Sequence, residues 1–330
     1  MNPFKDKIIL VTGGTGTIGS QLVHRLLEYR PKKIRILSRN ETRQHLLMEK
    51  LQYLSKVTMF IGDIRDKERL DLACAGVDFI FHTAALKHVP FCEYNPYEAV
   101  KTNILGAQNV IDCAVKNKVR KVIAISTDKA ANPFGVMGVS KLMMEKLFIN
   151  ANFSYGNIES IFSCVRFGNV AWSSGSVLSA WEKQAEDQGV IKVMQKNMTR
   201  FLMSVEQAVN LTLEAATISQ GAEIFILKMP SIKLNDLFKM FIAKYYPGKT
   251  IVAKEIGLRP GEKMHEELLS VNDFAGQVWT NKDMFVILPV VNIYNFPQPK
   301  RVYKNFKRLL RFENYLSSKH LDTKEVGRII

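Results

Sequence analysis

A doubly wound α/β fold, in which helices cover both faces of a parallel (Rossmann) sheet and a smaller α/β lobe is interleaved with it, is predicted by three features. Short runs rich in β-branched residues recur with room for a helix between them. Runs such as IILV (8–11) and VIAI (122–125) are apolar without alternation, as strands buried on both faces must be. The first run leads into a glycine-rich turn and an amphipathic segment.

Strands are expected at Lys7–Thr12, Lys33–Ser38, Val57–Ile61, Asp78–His82, Lys121–Thr127, Ser160–Arg166 and Glu223–Leu227. Helical spacing predicts helices over 20–30, 41–54, 96–117, 138–151 and 204–218, joined by right-handed crossovers. The stripe Ala99, Ile104, Ala107, Val110, Ile111 and Ala114 is explained equally by packing against 138–151 within one subunit and by a four-helix bundle in a homo-oligomer. After Arg166 the alternation weakens and returns near 204–228. A nucleotide-binding domain of 1–166 plus 204–228 and a substrate lobe of 167–203 plus 229–330 follow, with a ligand crevice at the strand C-termini.

The chain has 330 residues, 47% hydrophobic and 23% charged, which excludes collagen-like and wholly disordered classes. No apolar run approaches the roughly 20 residues of a bilayer span, and MNPFKDK leads into β-type sequence without signal-peptide organisation. A cytoplasmic protein with no membrane span is expected. The net charge of +15 fits nucleic acid, anionic lipid or a polyanionic small molecule alike. Its one tight cluster, Lys304 to Arg311, reads first as a solvated basic face, so no nucleic-acid partner is expected. Cys74, Cys92, Cys113 and Cys164 lack CxxC or metal-ligand spacing, and His82, His88 and His265 lack HExxH. Buried reduced thiols and no metal are expected.

In Thr12–Gly19 (TGGTGTIG), Gly13, Gly16 and Gly19 stand at i, i+3 and i+6 between a strand and a helix. Glycines here allow the tight turn, the approach of a pyrophosphate and close helix packing, and Thr15, Thr17 and Ile18 complete the cradle at the helix N-terminus. The second strand ends in Ser38-Arg39 where an NAD-selective protein offers a carboxylate; arginine, with Arg43 nearby, favours the 2′-phosphate of NADP, and Glu41 close behind keeps NAD as the alternative. Asp63, with Ile64 beside it, is either an acceptor for the adenine amino group or a helix N-cap. Ala84 and Lys87 follow the fourth strand, where cofactor phosphates or substrate pass; Lys87 reads equally as an exposed loop lysine.

At the end of the fifth strand stand Ser126-Thr127-Asp128-Lys129, and then Met137-Gly-Val-Ser-Lys141. Adjacent carboxylate and amine at a strand end tune each other's pKa and supply an acid and a base to one ring, unless they form only a surface ion pair.

The glycine loop, the fifth-strand Ser/Thr and a YxxxK-like site resemble the extended short-chain dehydrogenase/reductases. AALKHVPFCEYNPYEAVKTNILGAQNVI, STDKAANP, RFGNVAWSSGSV, MTRFLMS and RPGEKMHE together resemble the UDP-N-acetylglucosamine 4,6-dehydratases of polysaccharide biosynthesis, over about residues 7 to 270. The resemblance implies a tightly bound, recycled NADP. It gives Lys129 the carbon 5 proton, Asp128 the departing hydroxyl, Thr127 the carbon 4 oxygen and Lys141 the nicotinamide ribose. Asn103 would support the catalytic lysine, and Asn169, Ser173, Ser176, Arg200, Arg259 and Glu262 would clamp a UDP-sugar. One departure is the family tyrosine, here Met137, which cannot take a proton and leaves the base for the carbon 4 hydroxyl unassigned. A nucleotide-sugar 4-epimerase and a non-catalytic NADP-sensing protein are the alternatives. Inversion or retention at carbon 5 stays open.

Overall fold

The computed structural model describes residues 2–51, 54–155, 159–288, 303–311 and 314–330. The chain begins with β1 (Ile8–Thr12), α1 (Thr17–Glu28), β2 (Lys33–Ser38), α2 (Glu41–Lys50), β3 (Val57–Ile61), α3 (Lys67–Cys74) and β4 (Phe79–His82). It continues through α4 (Val89–Tyr94), α5 (Pro96–Ala99), α6 (Gly106–Lys116), β5 (Lys121–Thr127), α7 (Val136–Ser154) and β6 (Ile161–Phe167). Next come β7 (Asn169–Val170), α8 (Val177–Gln188), β8 (Val190–Val193), β9 (Thr199–Met203), α9 (Val205–Ile218) and β10 (Ile224–Leu227). The remainder is β11 (Ser231–Lys233), α10 (Leu234–Tyr245), β12 (Val252–Glu255), β13 (Glu267–Leu269), β14 (Gln277–Thr280), β15 (Met284–Leu288), β16 (Lys307–Arg308), β17 (Tyr315–Leu316) and α11 (Thr323–Ile329).

The main sheet runs β3-β2-β1-β4-β5-β6-β10-β15-β14-β16, parallel as far as β10. Its order reverses at β1 and β4, and the strand C-termini there open the crevice in which doubly wound sheets bind ligands. Ile9, Leu10, Val11, Ile80, Phe81, Val122 and Ile123 are buried at its centre, which explains their unbroken apolar runs. The four cysteines are buried free thiols.

Three expectations need correction. Residues 277–288, placed in the second lobe, extend the main sheet, because β15 pairs antiparallel with β10 and covers the edge that β10 would otherwise expose. The 41–54 helix ends at Lys50, where Leu51 turns extended and buries its side chain. The 96–117 segment is helical but not uniformly α: a π-helical stretch, Val100–Leu105, separates α5 from α6. Such insertions cluster at functional sites.

The second lobe holds the β11-β9-β7 and β12-β8 sheets around a core of Trp181, Leu237, Phe241 and Ile232. β13 and β17 form a separate ladder, and β13 lies against the turn that follows β5. In the basic cluster, Phe306 and Leu309 pack on the main core while Lys304, Lys307, Arg308 and Arg311 stay exposed. Among the described residues no helix is long and apolar enough to cross a membrane.

Candidate active site

The cofactor side is built by the glycine turn. Gly13 has φ +70°, and a Cβ there would lie 2.7 Å from the Ala84 backbone nitrogen. At Gly19 a Cβ would come within 2.5 Å of the Gly13 carbonyl, so α1 reaches the turn only without a side chain. A Cβ on Gly16 would meet only the Gly13 carbonyl, at 3.3 Å. Thr15, Thr17 and Ile18 are half-buried around it.

At the end of β2, Ser38 is buried and its hydroxyl accepts from Gln44 Nε2 at 3.0 Å. Arg39 is exposed, its guanidinium 3.7 Å from Asp63 Oδ2. Asp63 does not cap α3; Asp66 does, accepting from the Arg69 backbone N–H at 2.9 Å. Burial raises the Asp63 carboxyl, but hydrogen bonds from Arg65 and the charges of Arg65 and Arg39 bring it below its ordinary value. The Ile64 side chain turns into the core against Gly106 and offers the crevice nothing.

The strand end follows. Thr127 caps a short 3₁₀ turn, Asp128–Ala130, and its Oγ1 donates to Asp128 Oδ1 at 2.9 Å. The same Oδ1 accepts from Lys129 Nζ at 3.1 Å, and Asp128 is 1% exposed, so this is a buried pair and not a surface one. Asp128 Oδ2 has no protein partner. Burial, reinforced by the Glu266 carboxylate, pushes the Asp128 carboxyl up against the pull of Lys129. Burial opposes the Lys129 ammonium, but Asp128 and Glu266 outweigh it and raise its pKa.

Met137 occupies the first turn of α7, buried with Val89, Cys92 and Ala99. That turn approaches closely because a Cβ on Gly138 would lie 2.4 Å from the Lys129 carbonyl. Asn103, expected to support the catalytic lysine, spends its side chain on Leu86 and on Ser140, the neighbour of Lys141. It accepts from the Leu86 backbone N–H at 2.8 Å and donates to the Leu86 carbonyl and to Ser140 Oγ, each at 3.0 Å. The π-helical register carries this residue, which ties the segment after β4 to the start of α7. One turn beyond Met137, Lys141 Nζ donates to the Ile125 carbonyl at 2.6 Å and to Met144 Sδ at 3.1 Å. Burial pushes the Lys141 ammonium down to about 8.

On the other wall, Lys87 Nζ donates to the Ser174 carbonyl at 2.7 Å, so it is an inter-lobe contact rather than a free loop lysine. Burial lowers its pKa. Ser173 is buried and Ser176 is the N-cap position of α8, without a side-chain capping bond. Asn169 lies half-buried in β7. Arg200 departs from its expected role as a phosphate ligand. It is 3% exposed and bonds the Thr199 carbonyl and Glu262 Oε2, each at 2.8 Å. It therefore anchors Glu262. Arg259 is exposed and remains the cation of that group facing solvent.

Two elements were not singled out from sequence. Glu266 is fully buried, with Oε1 3.1 Å from Lys129 Nζ and 3.7 Å from Arg200 Nε. It lines a narrow cleft together with Lys129, Met137, Gly261 and Lys263. Its sequence signal is its place at the end of RPGEKMHE. Behind the site, buried Arg166 bonds Glu145 through Nη2 at 2.7 Å and Asp273 through Nη1 at 3.0 Å, while Ser126 Oγ donates to Glu145 at 2.5 Å. Arg166 on β6 and Glu145 on α7 thus tie β5, β6, α7 and the segment after β13 together.

Residues 9–288 match the model of the polysaccharide biosynthesis protein family. An uncharacterized membrane protein of Methanocaldococcus jannaschii is 47% identical over 96% of this chain and 98% of its own length. A UDP-N-acetylglucosamine 4,6-dehydratase (inverting) of Campylobacter jejuni is 45% identical over 82% of this chain and 79% of its own. A UDP-glucose 4-epimerase of Rickettsia typhi is 41% identical over 82% and 80%. The X-ray structure of Pen from Bacillus thuringiensis superposes with a TM-score of 0.91 at 43% identity, covering 99% of this chain and 97% of that one. A Rossmann sheet, the buried Asp128–Lys129 strand end and these relatives agree: the chain belongs to the polysaccharide biosynthesis protein family, and a UDP-N-acetylglucosamine 4,6-dehydratase is among its relatives.

Proposed function

We propose that the protein is an NADP-dependent UDP-N-acetylglucosamine 4,6-dehydratase that supplies a 4-keto-6-deoxy sugar nucleotide for surface glycan synthesis. The observation that carries the reading is the buried Asp128–Lys129 pair at 3.1 Å, next to the crevice at the switch point of the sheet. An elimination needs both an acid and a base on one ring; a 4-epimerase needs neither at carbon 5.

The residues present fit the cofactor. The open face of Gly16 and the N-terminus of α1 suit a pyrophosphate, and Asp63 suits the adenine amino group. Arg39 suits a 2′-phosphate, because its contact with Asp63 at 3.7 Å is long and its guanidinium is exposed. Lys141, with one of its three donors unused by Ile125 and Met144, suits the nicotinamide ribose. When bound, the nicotinamide would supply an acceptor for the carbon 4 hydride and a donor that returns it to carbon 6.

The chain's own groups handle the protons. Lys129 is charged at rest and becomes a base by passing its proton to Asp128 across 3.1 Å. That single transfer makes Lys129 the base for the carbon 5 proton and Asp128 the acid for the carbon 6 hydroxyl. Burial narrows the gap between the two groups by favouring the neutral form of each. Thr127 Oγ1 holds Asp128 Oδ1, which leaves Oδ2 to face the leaving group. On the substrate side, Arg259 takes diphosphate oxygens and Glu262, oriented by Arg200, takes the uridine ribose hydroxyls. Asn169, Ser173, Ser176 and Lys87 line the path between them. Leu105, Val139 and Met143, each about half exposed on the α5–α7 face, support a homo-oligomer.

Incubation of the purified protein with UDP-N-acetylglucosamine tests the reading. Loss of one water, read by mass spectrometry, and a new methyl signal by NMR support it. An unchanged mass with an altered hexose means epimerase, the activity in the name of the Rickettsia relative. Binding without turnover means a sensor, the reading that Met137 favours. Lys129→Ala abolishes elimination, and a fully active variant rejects Lys129 as the base.

A further inference from the structure

Glu266 is where the site spends more than its fold requires. The carboxylate is wholly buried, and neither oxygen accepts a hydrogen bond from a protein donor. Its Oε1 is within ion-pair distance of Lys129, at 3.1 Å but off the hydrogen-bonding angle, and of Arg200, at 3.7 Å and beyond hydrogen-bond reach. Burying a carboxylate is costly unless cations pair with it, and the cations within ion-pair distance of Glu266 are Lys129 and Arg200. Arg200 does not need it, because Glu262 already takes its Nη2 at 2.8 Å.

The backbone nonetheless fixes Glu266 from both sides. Its N–H donates to Ser317 Oγ at 2.8 Å, and its carbonyl accepts from the Ser317 N–H at 2.9 Å. Ser317 Oγ in turn shares a 2.6 Å hydrogen bond with Thr199 Oγ1. The segment around β17 therefore serves the site by aiming this one side chain at Lys129, into the cleft that also holds Met137.

We propose that Glu266 is a third member of the acid–base set, a positioning residue whose fixed carboxylate holds the Lys129 ammonium in line with Asp128 and steadies the proton that each carries during the elimination. The inference rests on the dehydratase reading above and deepens it. A negative charge beside both groups favours protonated Asp128 before the hydroxyl leaves and protonated Lys129 after carbon 5 is deprotonated. The same charge opposes the neutral Lys129 that takes the carbon 5 proton, so its gain lies in the protonated Asp128 before the hydroxyl leaves and the protonated Lys129 afterwards. The charged groups facing the set are Asp128, Lys129, Arg200, Glu262, Lys263 and Glu266 itself. Lys263 Nζ is turned to the carbonyls of Ala131 and Asn132, and Arg200 is shared with Glu262; among the described residues Asp128 and Glu266 are the carboxylates in ion-pair contact with Lys129 Nζ.

The test is Glu266→Gln, with Glu266→Asp as the variant that keeps the charge. In E266Q, kcat falls at least about tenfold, and both limbs of its pH profile move to lower pH by about one unit. E266D moves the limbs less and recovers part of the rate. Deuterium incorporation at carbon 5 in D2O slows in parallel in E266Q. A second measurement needs no turnover: competitive acetylation of Lys129 by acetic anhydride against pH, read by mass spectrometry. Its midpoint moves to lower pH in E266Q, and to a smaller extent in E266D if only that variant folds. Superimposable pH profiles, or an unmoved Lys129 midpoint, overturn the proposal. If the wild type releases no water, the dehydratase reading fails while the labelling still decides whether Glu266 acts on Lys129.

Discussion

Thr17 and Ser174 hydrogen-bond twice across the crevice: Thr17 Oγ1 accepts from the Ser174 N–H at 3.0 Å and donates to Ser174 Oγ at 3.3 Å. Lys87 Nζ reaches the carbonyl of the same serine, so three contacts close the 173–176 loop over the glycine turn. In the proposed reaction the cofactor is recycled each turnover and has no need to leave, and this loop is tied down over the turn proposed to hold its pyrophosphate. Thr17→Val removes two hydrogen bonds worth about 1 kcal/mol each, predicting cofactor release faster by roughly tenfold or more with the fold intact. Release followed by nucleotide fluorescence after dilution checks it; an unchanged rate rejects the loop as a closure.

Arg39 is predicted to set the choice of dinucleotide. Its guanidinium is exposed and only loosely held by Asp63. Arg39→Ala is therefore expected to weaken NADP binding by about tenfold, the worth of one charge-assisted contact discounted for solvent screening, and to leave NAD binding nearly unchanged. Calorimetric titration with both dinucleotides checks it. Equal weakening for the two rejects a 2′-phosphate contact.

What was legible in the sequence was what the chain carries contiguously. The Gly13–Gly19 turn and the Thr127–Lys129 strand end each lie within a few residues, so spacing alone places them. Arg200 and Glu262 were legible as partners but not as each other's partners, because β9 and the loop after β12 meet only through tertiary packing. Glu266 and Ser317 depend on a ladder between β13 and β17 that no local pattern announces. The π-helical register at Asn103 was also hidden, since its residue spacing still satisfies an α-helical stripe. β15, an apolar run, was misplaced because burial in a sheet says nothing about which sheet.

The Arg166 network predicts a specific acid sensitivity. Burial alone would raise the Asp273 carboxyl, but Arg166 at 3.0 Å and the Ser270 N–H at 2.9 Å hold it below its ordinary value. A carboxyl with a depressed folded pKa contributes stability that is fully present above the unfolded value, about 4, and is lost as pH falls through the folded one. Asp273→Asn is expected to cost about 3 kcal/mol at pH 7, since it leaves part of a buried cation unpaired. Urea unfolding of both proteins from pH 7 to 3 checks it: the gap stays constant down to about pH 5 and narrows below. A gap independent of pH throughout rejects Asp273 as the titrating group.

Gly138 gives the sharpest separation of catalysis from folding. Any Cβ there would come to 2.4 Å from the carbonyl of Lys129, and that neighbour is backbone, so the 3₁₀ turn or the first turn of α7 must shift. Overpacking of this kind costs about 1–3 kcal/mol, which a chain of this size tolerates. The shift falls on the turn that carries Asp128 and Lys129, and displacements near 1 Å at reacting groups cost about a hundredfold in rate. Gly138→Ala is therefore expected to fold, to keep most of its dinucleotide affinity because the Gly13–Gly19 cradle lies on other elements and Lys141 alone of the proposed cofactor residues is on α7, and to lose kcat by about a hundredfold. Thermal unfolding, dinucleotide titration and turnover measured on one preparation check it. A variant with wild-type kcat shows that the strand-end turn accommodates the methyl without moving its acid and base; a variant that unfolds in step with its loss of rate shows that the contact supports the fold alone.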